Sequence, residues 1–165
     1  MKKTSITTKS VEETKKIGKK FAQKLMEGGV VCLFGELGSG KTSFTQGLAE
    51  GLGIKRRVNS PTFIIMRSYE IPLLFEPQRE LTRRNFSPSA DGSKNKRFFY
   101  HLDLYRIASE RDVEGLGIKE ILEDSTNIIV IEWAERIEKI LPEKRTNIYF
   151  NYLSDDQRSI VIHEN

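Results

Sequence analysis

One run of eight residues has the types and spacing of a phosphate-binding site: Gly35-Glu36-Leu37-Gly38-Ser39-Gly40-Lys41-Thr42. It fits the pattern G-x-x-x-x-G-K-[ST] at every position. The glycines of such a loop let the backbone turn its N–H groups inward around phosphate oxygens, at the positive end of the following helix. Lys41 would bridge the terminal phosphates, and Thr42 would offer its hydroxyl to a magnesium ion. The run therefore predicts a nucleotide site that includes residues 35–42 and the adjoining Ser43.

The segments on either side of this loop match what it requires. Residues 30–34, Val-Val-Cys-Leu-Phe, have the composition of a buried strand, and residues 43–52 have the pattern of a helix. The alternative is a glycine-rich turn that joins strand to helix without a ligand, and the flanking elements favour the phosphate loop. Cys32 lies inside the strand and is the only cysteine, so we expect a small buried hydrophobe without a redox or metal role.

Two carboxylates end apolar runs and are the candidates for the hydrolytic chemistry. Glu132 follows residues 128–131, and Asp103 follows residues 98–102. A buried strand delivers such a residue to the carboxyl edge of the sheet, where the phosphates lie, so Glu132 has the placement of a Walker-B acid. We expect one acid to hold magnesium, directly or through water, and the other to position or deprotonate the attacking water. The sequence leaves open which acid does which. The alternative for each is a carboxylate that only caps a nearby helix.

Three further features lie next to these residues in the sequence. His101 shares a strand face with Asp103, which permits a hydrogen bond that supports the site, although simple packing is the favoured interpretation. Ser60-Pro61-Thr62 could be a switch segment that senses the terminal phosphate, or merely a turn before a strand. Trp133 follows Glu132 and would lie near the nucleotide if Glu132 does; core packing explains it equally well.

Motifs that the sequence lacks help to indicate the nucleotide and the reaction. It contains no N-K-x-D segment of the kind that holds guanine, so ATP is favoured over GTP. A small-molecule or nucleotide kinase is the main alternative. Such enzymes usually carry clustered arginines in a lid after the core helices, whereas here the arginines cluster before Asp103.

Composition and length place limits on the class of protein. A chain of 165 residues with 38% hydrophobic content suits one domain, and a net charge of +4 is too small to argue nucleic-acid binding by itself. No apolar run is long enough to cross a bilayer, so we expect a soluble, cytoplasmic protein that does not contact a membrane.

The order of elements predicts the fold class. A capping box at residues 10–13 begins a helix before the first buried strand, and a strand is expected over residues 63–69. Helical patterns cover residues 113–122, with an interruption at Gly115 and Gly117, and residues 134–141. Alternating strands cover residues 147–152 and 158–163. This order predicts an α/β, P-loop NTPase-like three-layer sandwich with a mostly parallel central sheet and a C-terminal antiparallel hairpin.

Taken together, five motifs resemble the TsaE (YjeE) family, over roughly residues 5 to 140. They are the phosphate loop, Ser60-Pro61-Thr62-Phe63, His101-Leu102-Asp103-Leu104-Tyr105-Arg106, Gly117-Ile118 and Glu132-Trp133. The resemblance implies a bacterial ATPase required for threonylcarbamoyl modification of the adenosine beside the anticodon in tRNA. It implies ATP and Mg²⁺ at the site, slow hydrolysis, and action on a complex of TsaB and TsaD, with tRNA engaged through that complex. A nucleotide-sensing, non-catalytic tRNA-binding module is a second alternative.

The resemblance also implies roles for individual residues. Lys41 and Thr42 would contact phosphates and magnesium, and Glu132 would be the metal-side carboxylate. Asp103 would be the other active-site acid. Residues 60–62 would form the switch-like loop, and Trp133 matches a tryptophan near the nucleotide.

The chain departs from the family pattern at residues 71–97, where about twenty extra residues precede the H-x-D strand. The segment holds three of the five prolines and an excess of basic residues. A solvated loop is the default interpretation. The alternative is a cationic flap that meets tRNA or an acidic partner surface, formed by Arg79, Arg83, Arg84, Lys94, Lys96 and Arg97.

Overall fold

A computed structural model describes residues 2–59, 65–72 and 96–164. These residues form one seven-stranded sheet with helices on both faces. The strands are β1 (Lys2–Thr8), β2 (Gly29–Phe34), β3 (Met66–Glu70), β4 (Phe98–Asp103), β5 (Ile128–Glu132), β6 (Thr146–Tyr152) and β7 (Arg158–Glu164). The α-helices are α1 (Val11–Phe21), α2 (Lys41–Gly51) and α3 (Ile118–Glu123).

The sheet has the order β1-β7-β6-β2-β5-β4-β3. Its central strands β6, β2, β5 and β4 are parallel to one another, and antiparallel pairs lie at both edges. The predicted α/β class is confirmed, with a parallel core and the expected hairpin formed by β6 and β7. Because the parallel strands β2, β4 and β5 end at the same edge, their last residues and the loops that follow them are brought together there.

Strand β1 was not indicated by the sequence. It pairs with β7 along its whole length, from Lys2 opposite Glu164 to Thr8 opposite Arg158. Ile6 is its one aliphatic residue, and it packs against the core from a partly buried position. A strand with one aliphatic residue shows no clear alternation of apolar and polar residues, so its sequence carries almost no periodic signal.

The two faces of the sheet bury separate cores, which gives the three layers. On one face, α1 and α2 pack against β2 and β5 through residues that include Phe21, Phe44, Leu48, Val31 and Val130. The opposite face is covered by α3 and by 3-10 helices at Glu110–Val113 and Ala134–Ile140. Lys41 and Thr42 lie at the start of α2, so the core formed by α1, α2 and the sheet positions the candidate phosphate site.

Of the two helical segments predicted on the second face, one has the expected break and the other differs in geometry. Residues 113–122 were expected to be helical with an interruption at Gly115 and Gly117, and these glycines, with positive φ angles of 81° and 70°, do separate a 3-10 helix from α3. Residues 134–141 were expected to form a short helix and instead adopt 3-10 geometry, interrupted at Ile137. The predicted strand over residues 63–69 is described from Met66 onward, since residues 60–64 lie outside the described part of the chain.

Helices α1 and α2 pack so closely that their backbones are in contact at Gly47. A Cβ atom added to Gly47 of α2 would lie 2.0 Å from the carbonyl oxygen of Lys15 in α1. Such a contact is too short for any side chain, and the neighbouring atom is backbone, which cannot rotate away. Glycine at this position therefore sets the distance between the two helices and, through α2, the placement of the loop before it.

We expect Gly47→Ala to lower the free energy of unfolding by about 2 kcal/mol or more, because the methyl group forces α1 and α2 apart. Equilibrium denaturation in urea measures this change. Glu50→Ala is the matched control on α2: Glu50 pairs with Lys19, both side chains are more than half exposed, and the loss should stay below about 0.5 kcal/mol. Equal stabilities of the two variants would contradict the close-packing argument.

Candidate nucleotide-binding site

In the loop between β2 and α2, the backbone adopts conformations that require glycine, as the sequence predicted. Gly35 and Gly40 have φ angles of 138° and 104°, in the region that favours glycine. At Gly35 a side chain would also collide with β6, since an added Cβ would lie 2.4 Å from the carbonyl oxygen of Phe150. Gly40 precedes the first residue of α2, so the N–H groups of that helix open toward the loop.

The side chain of Lys41 is folded back over this loop. Its Nζ donates to the carbonyl oxygens of Gly35 at 2.5 Å and Glu36 at 2.9 Å. It also lies 4.1 Å from the centre of the Trp133 ring, a distance at which a cation is attracted to the face of the ring. Burial lowers the pKa of the Lys41 ammonium, and nearby carboxylates, Glu132 foremost, oppose this shift.

Trp133 has a strained backbone at the end of β5. Its φ of 60° and ψ of 44° are left-handed, and among the described residues it is the only non-glycine with a positive φ. Such a conformation costs about 1 to 3 kcal/mol and persists where the surrounding structure imposes it. Here the backbone N–H donates to the carbonyl oxygen of Leu33 at 3.1 Å, and the ring lies 5.1 Å from that of Tyr105. With this backbone conformation, the indole ring lies against the Lys41 ammonium.

Glu132 lies at the centre of the site and is almost completely buried, with 2% of its surface exposed. Its Oε2 accepts a hydrogen bond from Thr42 Oγ1 at 2.9 Å, and its Oε1 lies 2.8 Å from His101 Nε2. Thr45 Oγ1, one turn further along α2, lies 3.4 Å from Oε1. A buried carboxylate needs such donors, since an unpaired one would be strongly destabilising.

Asp103 occupies the neighbouring strand end. It lies directly beside Glu132 in the parallel register of β4 and β5 and is partly exposed. Its Oδ1 accepts a hydrogen bond from the backbone N–H of Tyr105 at 3.1 Å, which caps the turn after β4. This bond closes a turn and does not cap a helix, so it differs from the helix-capping alternative, and the acid lies at the edge where a phosphate would be bound.

The oxygen atoms of Thr42 and Glu132 suit a magnesium ion. Magnesium keeps several waters and takes one or two carboxylates together with phosphate oxygens of the substrate. Within the described residues there is no group of three or more His, Cys, Asp or Glu side chains that could hold a metal by itself. Two such oxygens would need waters and phosphate oxygens to complete the shell of a magnesium ion.

Most of the predicted site residues are brought together at this edge of the sheet. The loop, Lys41, Thr42, Asp103, Glu132 and Trp133 all lie there, and Ser43 follows in the first turn of α2. The switch-like residues Ser60, Pro61 and Thr62 lie outside the described residues, so their role stays a prediction. Cys32 is buried in β2, and burial raises the pKa of its thiol to about 12, which suits a structural residue.

The contacts of His101, Thr45 and Arg158 go beyond the favoured predictions for the site. The favoured interpretation of His101 as a packed core residue is incomplete, because the fully buried ring is also bonded to Glu132. Thr45 was not selected at all, although it lies three residues after Thr42 and so on the same face of α2. That spacing was the one available signal. Arg158, in the hairpin, donates to the carbonyl oxygen of Gly38 at 3.3 Å and joins the edge of the sheet to the loop.

The basic insertion is described only at its ends. Lys96 donates to Glu70 at 3.0 Å, and Arg97 Nε donates to the carbonyl oxygen of Thr126 at 3.1 Å. Both contacts are with neighbouring parts of this chain. The other four basic residues of the predicted flap lie outside the described residues, so the flap remains a prediction.

Comparison with known proteins gives a consistent picture. The family model described as threonylcarbamoyl adenosine biosynthesis protein TsaE matches residues 8–79 and 86–160. A tRNA threonylcarbamoyladenosine biosynthesis protein TsaE from Bacillus subtilis is 38% identical over 163 residues, which cover 97% of this chain and 85% of the relative. A protein of the same name from Treponema pallidum is 34% identical over 155 residues, covering 94% and 96%.

A solved structure extends the similarity to the fold. The crystal structure of Bacillus subtilis YdiB superposes with a TM-score of 0.69 at 32% identity, covering 99% of this chain and 86% of the other. In the part of the chain that the structure describes, no helix has the length and apolar character needed to cross a membrane.

Proposed function

This chain belongs to the TsaE family of threonylcarbamoyl adenosine biosynthesis proteins, and we propose that it binds ATP with Mg²⁺ and hydrolyses it slowly. We further propose that it acts on a complex of TsaB and TsaD in the threonylcarbamoyl modification of tRNA, and engages tRNA through that complex. The observation that carries the ATPase proposal is the contact between Glu132 and Thr42, 90 residues apart in sequence, beside the lysine of the phosphate loop.

The phosphate loop would bind the triphosphate through its backbone N–H groups and Lys41. To reach phosphate oxygens, the ammonium must leave the carbonyl oxygens of Gly35 and Glu36, which it contacts in the structure. A phosphate carries full negative charge whereas a carbonyl oxygen carries a partial one, so the exchange favours the nucleotide. Trp133 lies against the ammonium, so the environment of its ring would change as ATP binds.

Thr42 and Glu132 would hold the magnesium ion, which when bound neutralises charge on the phosphate oxygens. Asp103 would position the attacking water and accept its proton, since it is the more accessible of the two acids. Glu132 has little access to water and is surrounded by donors, which suits the metal side. In this assignment each acid has one role, set by its environment.

Titration of ATP and GTP in the presence of Mg²⁺, with heat measured directly, tests the proposal. We expect ATP to bind and GTP to bind more weakly, and we expect slow release of inorganic phosphate from ATP without any acceptor. A kinase would transfer phosphate to an added acceptor, and a nucleotide-sensing module would bind ATP without turnover. Absence of ATP binding would contradict the proposal altogether.

A further inference from the structure

We propose that His101 is a positioning residue, which fixes the carboxylate of Glu132 by donating from Nε2 to Oε1 and thereby keeps Oε2 toward Thr42. The proposal deepens the proposed function, because the geometry that His101 preserves is that of the metal-side acid. The contact involves only side chains of this protein, so it can be tested without ATP.

The two oxygens of Glu132 have different partners. Oε1 lies 2.8 Å from His101 Nε2 in β4, whereas Oε2 accepts from Thr42 at 2.9 Å in α2. His101 is completely buried and Glu132 is 2% exposed, so the contact is shielded from water. A carboxylate held from two sides by groups on different elements cannot turn about its final torsion without losing one of them.

The remaining donor cannot replace the histidine. Thr45 Oγ1 is 3.4 Å from Oε1, and it lies 3.0 Å from the carbonyl oxygen of Lys41, to which it donates within α2. Without His101, Oε1 would have only this long contact among the described residues. The carboxylate would then be held firmly from one side only, by the hydroxyl of Thr42, and Oε2 would no longer be fixed in the place that the metal needs.

The proposed contact implies one tautomer of the ring. A carboxylate oxygen accepts hydrogen bonds, so in this proposal Nε2 is the nitrogen that carries the proton. Nδ1 is buried and has no hydrogen-bond partner in the described part of the chain. The ring is therefore oriented by Glu132, and a residue that merely filled space would have no such dependence on the carboxylate.

Nuclear magnetic resonance of the ¹⁵N-labelled protein without nucleotide tests the contact directly. We expect an imidazole N–H signal that is protected from exchange with water, disappears in His101→Gln and shifts in Glu132→Gln. The chain has two histidines, so His163→Gln serves as the control and should leave the signal in place. A His101 ring signal that is identical in the native protein and in Glu132→Gln would overturn the proposal, whatever the activity.

Steady-state hydrolysis tests the consequence for the site. In His101→Leu we expect kcat to fall about tenfold or more, and the Mg²⁺ concentration for half-maximal rate to rise, while KM for ATP changes less than about threefold. His101→Gln should recover part of the rate, because its amide can donate to Oε1. Phe99→Leu is the control, since Phe99 is fully buried on the same strand face and should affect stability alone.

The outcomes separate this proposal from the proposed function. A native protein without Mg²⁺-dependent hydrolysis contradicts the proposed function, and the resonance experiment then decides the role of His101. A native protein that hydrolyses ATP, together with a folded His101→Leu that has the native kcat and Mg²⁺ requirement, overturns the positioning role. If His101→Leu does not fold, the comparison of the native protein with Glu132→Gln decides.

Discussion

Lys41→Ala is expected to abolish ATP hydrolysis and to weaken ATP binding by roughly ten- to a hundredfold. A hydrogen bond to a charged group contributes about 1.5 to 3 kcal/mol, which corresponds to that range of affinity. Part of this energy is offset, because the ammonium already donates to two carbonyl oxygens of the loop and must leave them. Calorimetric titration with Mg²⁺ and ATP measures the change.

Lys119→Ala is a matched control for this variant. It removes the same charge from an exposed position on α3, which covers the opposite face of the sheet. Its ATP affinity should equal that of the native protein. The fold of Lys41→Ala should survive, as its circular dichroism spectrum would show. Unchanged affinity in a folded Lys41→Ala would mean that the loop does not hold the triphosphate.

Glu132→Gln and Asp103→Asn should each abolish turnover while ATP still binds. Both acids are proposed to act on the metal and the attacking water, and only weakly on the nucleotide itself, so the loss falls on kcat. We expect a decrease of at least about a hundredfold in phosphate release. Glu132→Gln should also weaken the binding of Mg²⁺ at the site, because a neutral amide is a poorer magnesium ligand than a carboxylate.

The two acid variants should differ in one further respect. Glu132 is buried between His101 and the α2 hydroxyls, whereas Asp103 is partly exposed and bonded to a backbone N–H. The Glu132 substitution therefore also disturbs buried hydrogen bonds and should lower stability more than Asp103→Asn. Native-rate hydrolysis by either variant in the presence of TsaB and TsaD would show that this acid is structural.

Much of the site could be predicted from the sequence because its signals are local. The glycines of the phosphate loop and the apolar runs before Asp103 and Glu132 each lie within a few residues of the chemistry they position. Parallel strands end at a common edge, so residues far apart in sequence could be expected to meet there. The structure brings Asp103 and Glu132 side by side in register.

The remaining features depend on contacts that no local pattern encodes. The bond from His101 to Glu132 joins side chains on two strands, and from the sequence simple packing of the histidine was the favoured interpretation. The need for glycine at Gly47 arises from the backbone of another helix. The left-handed conformation of Trp133 is imposed by its surroundings, since tryptophan has no intrinsic preference for it.

The most direct test of the proposed function is the rate of ATP hydrolysis by this protein alone and with TsaB and TsaD from the same organism. Asp103→Asn, mixed with the same partners, is the control for ATPase activity that they bring themselves. The proposed function predicts slow hydrolysis by the protein alone and a clear increase with the partners, absent in the control. The same rate with and without TsaB and TsaD, or an increase that Asp103→Asn shares, would contradict it.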